Sequence, residues 1–61
     1  MEQPITPASF GRERHDYQAE VIEQAVEIAT RLRAENPERD LSELLQEALD
    51  RAQRWYLDRA G

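Results

Sequence analysis

The chain has no cysteine among its 61 residues, which excludes disulfide bonds and thiolate zinc sites. It has a single histidine, His15, which removes most other ways to build a transition-metal site. A domain of this size buries only about 60% of the surface of its unfolded chain and is marginal when alone. Because no disulfide or zinc ion can reinforce it, we expect another protein surface to stabilise it.

Long apolar runs are also missing. No stretch approaches the roughly 18 apolar residues of a membrane-spanning helix. The first ten residues, MEQPITPASF, lack the charged start and apolar centre of a signal peptide. We therefore expect a cytoplasmic protein that does not enter a membrane.

Lysine is absent as well, so all eight basic residues are arginine, against thirteen acids and a net charge of −5. Nucleic-acid binding needs a basic surface, so this charge argues against a nucleic acid as partner. A basic protein is the partner that the charge favours.

The first eleven residues contain two prolines and a glycine and show no regular alternation. The pair Thr6 and Pro7 is suited to start a short helical turn, but Gly11 weakens any helix that begins there. The sequence therefore predicts an extended or partly disordered arm over residues 1–11.

A first amphipathic helix is predicted over residues 12–36, where apolar residues recur at steps of three and four. It should end at Asn36, because a residue before proline is disfavoured in a helix and Pro37 prevents continuation. The predicted core and interface positions of this helix are Tyr17, Val21, Ile22, Ala25, Val26, Ile28, Ala29 and Leu32.

A second helix is predicted over residues 41–60 after a turn at 37–40. Asp40 and Glu43 have the spacing of a capping box, and Glu47 with Arg51 and Asp50 with Arg54 have that of favourable ion pairs. The predicted core and interface positions are Leu41, Leu44, Leu45, Ala48, Leu49, Ala52, Trp55 and Tyr56.

Two long helices joined by a short turn predict one all-α domain over residues 1–61, an antiparallel helical hairpin. The apolar residues of the first helix spread over roughly half its circumference, more than one partner helix covers. We therefore expect two hairpins to associate as a homodimeric four-helix bundle. The expected function is that of a self-associating protein–protein interaction module, an adaptor or a regulator.

An acidic stripe is the sharpest local feature, formed by Asp16, Glu20, Glu23 and Glu27, with no arginine among residues 15–30. Like charges at these spacings destabilise a helix by a few tenths of a kcal/mol per pair. One interpretation is an ordinary solvated face. The alternative is a docking surface, as in an acidic inhibitor or antitoxin-like protein that binds a basic, nucleic-acid-binding target.

No pattern predicts catalysis, a cofactor or a small-molecule substrate. Acid–base catalysis needs a pocket that shifts pKa values, and two helices offer none. His15 with Asp16 and Glu20 is at most a weak divalent-ion site, and the inward Glu-x-x-His pairs of di-iron bundles are missing. A ribbon-helix-helix DNA-binding fold would need an alternating, basic strand, which QPITPASF does not supply. We therefore predict no enzyme activity and no metal.

Overall fold

A computed structural model describes residues 3–60. They form a 3-10 helix at Pro7–Asp16, helix α1 at Ala19–Glu35 and helix α2 at Leu41–Ala60. The described residues contain no strand, so the predicted all-α class is confirmed. The start of the predicted arm, Met1 and Glu2, and the last residue of the predicted domain, Gly61, lie outside the described residues.

The first α-helix begins seven residues later than the predicted start at residue 12. Tyr17 and Gln18 are extended, with φ/ψ of −121°/156° and −64°/149°, and separate the 3-10 helix from α1. The physical reason is that the helical spacing of apolar residues begins only at Tyr17. The preceding residues 12–16 are all polar, so a longer α-helix would bury nothing there.

The arm predicted over residues 1–11 as extended or partly disordered also differs from the structure, because the 3-10 helix begins at Pro7. The Thr6 N–H donates to the Ser9 hydroxyl at 3.1 Å, and the Ser9 N–H donates to the Thr6 carbonyl at 2.9 Å. Gly11 interrupts the 3-10 helix with a φ of +66°, a left-handed conformation that glycine adopts without strain. Thus the turn signal at Thr6 and Pro7 decides the local structure, and Gly11 bends the segment without unfolding it.

The connection between α1 and α2 is short and hydrogen-bonded. The backbone N–H and the side-chain amide of Asn36 both donate to the Leu32 carbonyl, at 2.8 and 3.2 Å, and end α1 one residue before the predicted boundary. Pro37 follows at once. The Arg39 N–H then donates to the Asn36 carbonyl at 3.1 Å, which closes the turn.

Helix α2 has the same bounds as the predicted second helix, but its first turn differs in detail. The Asp40 carboxylate accepts from the Ser42 hydroxyl at 2.8 Å, and in the described residues it makes no hydrogen bond to the Glu43 amide. The Asp40 carbonyl accepts from the Leu44 N–H at 3.1 Å. The hydrogen-bond donor to the Asp40 carboxylate is thus the Ser42 hydroxyl, whereas the sequence predicted the Glu43 amide.

Small residues form the centre of the contact between α1 and α2. Ala25 and Ala29 of α1 and Ala48 and Ala52 of α2 are all fully buried, which allows the two helices to approach closely. Larger side chains surround them, and the core as a whole consists of Ile5, Phe10, Val21, Ile22, Ala25, Ala29, Leu32, Leu44, Ala48, Leu49 and Ala52.

The sixteen residues predicted for core and interface are buried or half-buried, with one exception. Leu41 is 45% exposed, because it is the first residue of α2 and lies at the edge of the core. Tyr17, Val26, Ile28, Leu45 and Tyr56 are half-buried against the core, and Trp55 is half-buried as well.

The N-terminal segment supplies two core residues that were not among the sixteen positions predicted for core and interface. Ile5 and Phe10 are only 6% and 8% exposed. Phe10 lies beside Leu45 and Leu49 of α2, and Arg33 of α1 donates to the Gln3 carbonyl at 2.7 Å. The segment therefore covers an apolar flank of the two helices that we expected a second copy of the chain to cover.

None of the helices in the described residues has the length and apolar character needed to cross a membrane.

Candidate functional site

The acidic stripe remains exposed, but its four members do not share one helix. Glu20, Glu23 and Glu27 lie on α1, whereas Asp16 ends the 3-10 helix, because the extended residues Tyr17 and Gln18 separate the two. All four side chains are exposed. Within residues 3–60, no salt bridge reaches any of these carboxylates.

An open groove of about 320 Å³ brings three stripe residues together with the end of α2. Glu20, Glu23 and Glu27 line it with Gln24 from α1, and Trp55 and Arg59 line it from α2. We call this the acidic groove. Its α1 wall carries three carboxylates, so the local charge remains negative even with Arg59 included.

Trp55 and Arg59 contact each other within the acidic groove. The guanidinium carbon of Arg59 lies over the indole ring, 4.8 Å from its centroid, which is the geometry of a cation–π interaction. In the described part of the chain Arg59 forms no salt bridge with the three carboxylates. The ring thus holds a cation, while the opposite carboxylates form no salt bridge with any described residue.

The outer face of α2 is different, because two of its acids, Glu47 and Asp50, have arginine partners. Glu47 pairs with Arg39 and Arg51, each at 3.0 Å, and Asp50 pairs with Arg54 at 3.3 Å. The predicted pairs within α2 are therefore confirmed. The hydrogen bond from Arg39 lowers the pKa of Glu47 below its usual range and raises the pKa of Arg39. This cluster links the turn to α2.

The hypothesised metal site is not assembled. Among residues 3–60, no three histidine or acidic side chains come together in a way that could hold a metal ion, and this includes His15, Asp16 and Glu20. The histidine instead lines a separate groove with Tyr56 and Leu57 of α2.

The sequence did not predict that Trp55 faces the acidic stripe. It assigned Trp55 to the core or an interface by residue type. The spacing of four residues between Trp55 and Arg59 makes these two side chains neighbours on α2, but this pair was not predicted. Their position opposite Glu20 and Glu23 depends on how α1 and α2 align, which no local pattern specifies.

Comparisons with family models, with curated proteins and with solved structures found no match to this chain. Function is therefore argued from the geometry and chemistry of the surface.

Proposed function

We propose that this chain is a small, non-enzymatic protein–protein interaction module that docks on a basic surface of another protein through the acidic groove. The observation that carries this proposal is the convergence of three unpaired carboxylates, Glu20, Glu23 and Glu27, with Trp55 in one groove. A target that itself binds nucleic acid has such a basic surface. The module then acts as an acidic regulator or inhibitor of that target.

An antiparallel helical hairpin is the scaffold that we infer for this surface. The connection between Glu35 and Leu41 is short, which favours antiparallel neighbours. Glu20, at the start of α1, lines the same groove as Arg59, near the end of α2. This juxtaposition supports an antiparallel arrangement, in which residues from opposite ends of the sequence form one docking surface.

The distribution of charge supports docking over a purely solvated face. Glu47 and Asp50 on α2 have arginine partners, whereas Glu20, Glu23 and Glu27 on α1 have none in the described residues. Like charges three and four residues apart destabilise a helix, so the stripe opposes the stability of α1. Complementary charge on a partner removes this repulsion, accelerates association and gives specificity.

Charge reversal on α1 tests this proposal. The probe is a peptide of alternating arginine and glycine, and binding is measured by calorimetry at about 0.05 M salt, where surface charges are weakly screened. The double variant Glu20→Arg, Glu23→Arg should weaken binding at least about tenfold, which corresponds to about 1.4 kcal/mol.

The matched control is Glu35→Arg with Glu38→Arg, which makes the same change of net charge at exposed positions outside the groove. It should retain affinity within about threefold, since these sites contribute only long-range, screened attraction. Equal weakening by both double variants would show that net charge alone attracts the peptide. No binding by the unaltered chain would refute the proposal itself.

A homodimeric four-helix bundle is the second candidate. The accessible surface is 4687 Å², whereas a compact monomer of 7.1 kDa exposes about 4,100 Å². Leu41 and Leu57 are 45% and 61% exposed. These observations favour a partner surface of some kind. The case for a second copy is weaker than the sequence alone indicated, because the N-terminal segment already covers the flank beside Leu45 and Leu49.

A further inference from the structure

The contact between Arg59 and Trp55 indicates which side chain of the partner the acidic groove binds. This inference rests on the proposed function. We propose that the acidic groove binds an arginine side chain of the partner, stacked on the Trp55 ring in the position that Arg59 occupies in the free chain. Arg59 is then an internal competitor, and docking begins with its displacement.

The position of Arg59 shows that the ring face of Trp55 is open to a guanidinium group. The guanidinium carbon lies 4.8 Å from the ring centroid, within the range of a cation–π contact. Trp55 is half-buried, and the Arg59 side chain that covers this ring face is itself exposed. A group with the shape and charge of an arginine side chain therefore fits on the ring.

Arg59 is held weakly enough to be displaced. Its side chain is exposed, and within the described residues it has no salt bridge to a carboxylate. The stack on Trp55 is the one interaction that the structure assigns to its guanidinium group. Cation–π contacts at exposed sites are weak, so a ligand with additional contacts in the groove replaces Arg59.

The three carboxylates of the acidic groove supply those additional contacts. Arg59 leaves Glu20, Glu23 and Glu27 without a salt bridge although all of them line the same groove. An arginine that enters from solvent is not tethered to α2 and can pair with a carboxylate while it stacks on Trp55. Arginine suits this site better than lysine, because its planar group combines stacking with bidentate pairing.

Trp55 is the single tryptophan of the chain, so its fluorescence reports directly on the groove. Titration of the unaltered chain with the arginine–glycine peptide should give a saturable change in this fluorescence. The same peptide with lysine in place of arginine should bind more weakly. Binding detected by calorimetry without a fluorescence change would overturn the inference and leave the proposed function standing.

Substitution of Arg59 gives the decisive comparison. Arg59→Ala should raise the affinity for the arginine–glycine peptide about two- to fivefold, the factor that corresponds to loss of a competing surface cation–π contact. Arg51→Ala is the control, because it removes the same charge from the ion-paired face of α2. It should raise the affinity for the peptide by no more than about twofold, because it acts only through screened charge. Equal or lower affinity of Arg59→Ala, relative to the unaltered chain, would contradict the inference.

Variants of Trp55 complete the test by calorimetry. Trp55→Leu should weaken binding about two- to fivefold by loss of the aromatic ring, with helicity by circular dichroism as the check on folding. Trp55→Phe keeps an aromatic ring of lower cation affinity and should give an intermediate affinity. Unchanged binding by either folded variant would show that the peptide contacts the stripe without occupying the Trp55 ring.

Discussion

Phe10→Ala is expected to lower the free energy of unfolding by about 3–5 kcal/mol, the usual loss for a buried phenylalanine. Phe10 is 8% exposed and belongs to the core. A domain of this size has a total stability of only about 3–5 kcal/mol, so the variant should be largely unfolded at room temperature. Urea unfolding followed by circular dichroism measures the effect.

Two variants make this experiment interpretable. Glu13→Ala changes an exposed residue of the same 3-10 helix and should alter stability by no more than about 0.5 kcal/mol. Phe10→Leu keeps an apolar side chain of similar size and should lose less than about 1.5 kcal/mol, which gives a measurable transition. If Phe10→Ala remained as stable as Glu13→Ala, the N-terminal segment would not be part of the core.

Leu44→Ala is expected to cost about 2–5 kcal/mol, because Leu44 is fully buried and is one of the two largest fully buried side chains. Leu57→Ala is the matched control, since it is the same substitution on the same helix at a side chain that is 61% exposed. The control should lose no more than about 0.5 kcal/mol. Equal losses at the two positions would place the core on a different face of α2.

Local patterns in the sequence account for much of the fold. The spacing of apolar residues located α1 and α2, and Asn36 with Pro37 located the end of α1. Both signals depend only on neighbours in the chain. Helical periodicity locates the two helices, and the exclusion of the residue before proline from a helix locates the end of α1.

The burial of Ile5 and Phe10 was not predicted, because it depends on core residues of α1 and α2 that are distant in the sequence. Phe10 has Thr6, Pro7, Glu13 and Arg14 three and four positions away, so no apolar helix face indicates that it is buried. Phe10 lies beside Leu45 and Leu49 of α2, 35 or more residues further along the chain. A short polar segment with a left-handed Gly11 gives no periodic signal of such a contact.

The candidate site was predictable only in part, because one part depends on neighbours in the chain and the other on the alignment of two helices. Glu20, Glu23 and Glu27 are neighbours on one helix, so their spacing alone places them on one face. The contribution of Trp55 and Arg59 requires the alignment of two helices. The sequence therefore predicted an acidic stripe, and the structure adds the aromatic ring and the cation that convert the stripe into a groove.

The solution mass tests the central claim most directly. The claim is that the N-terminal segment completes the core of a single chain and leaves the acidic groove to a different protein. Light scattering on a size-exclusion column should then give a mass near 7.1 kDa, with helicity that does not change on dilution. A mass near twice that value, with helicity lost on dilution, would contradict the claim and show that a second copy covers the remaining apolar surface.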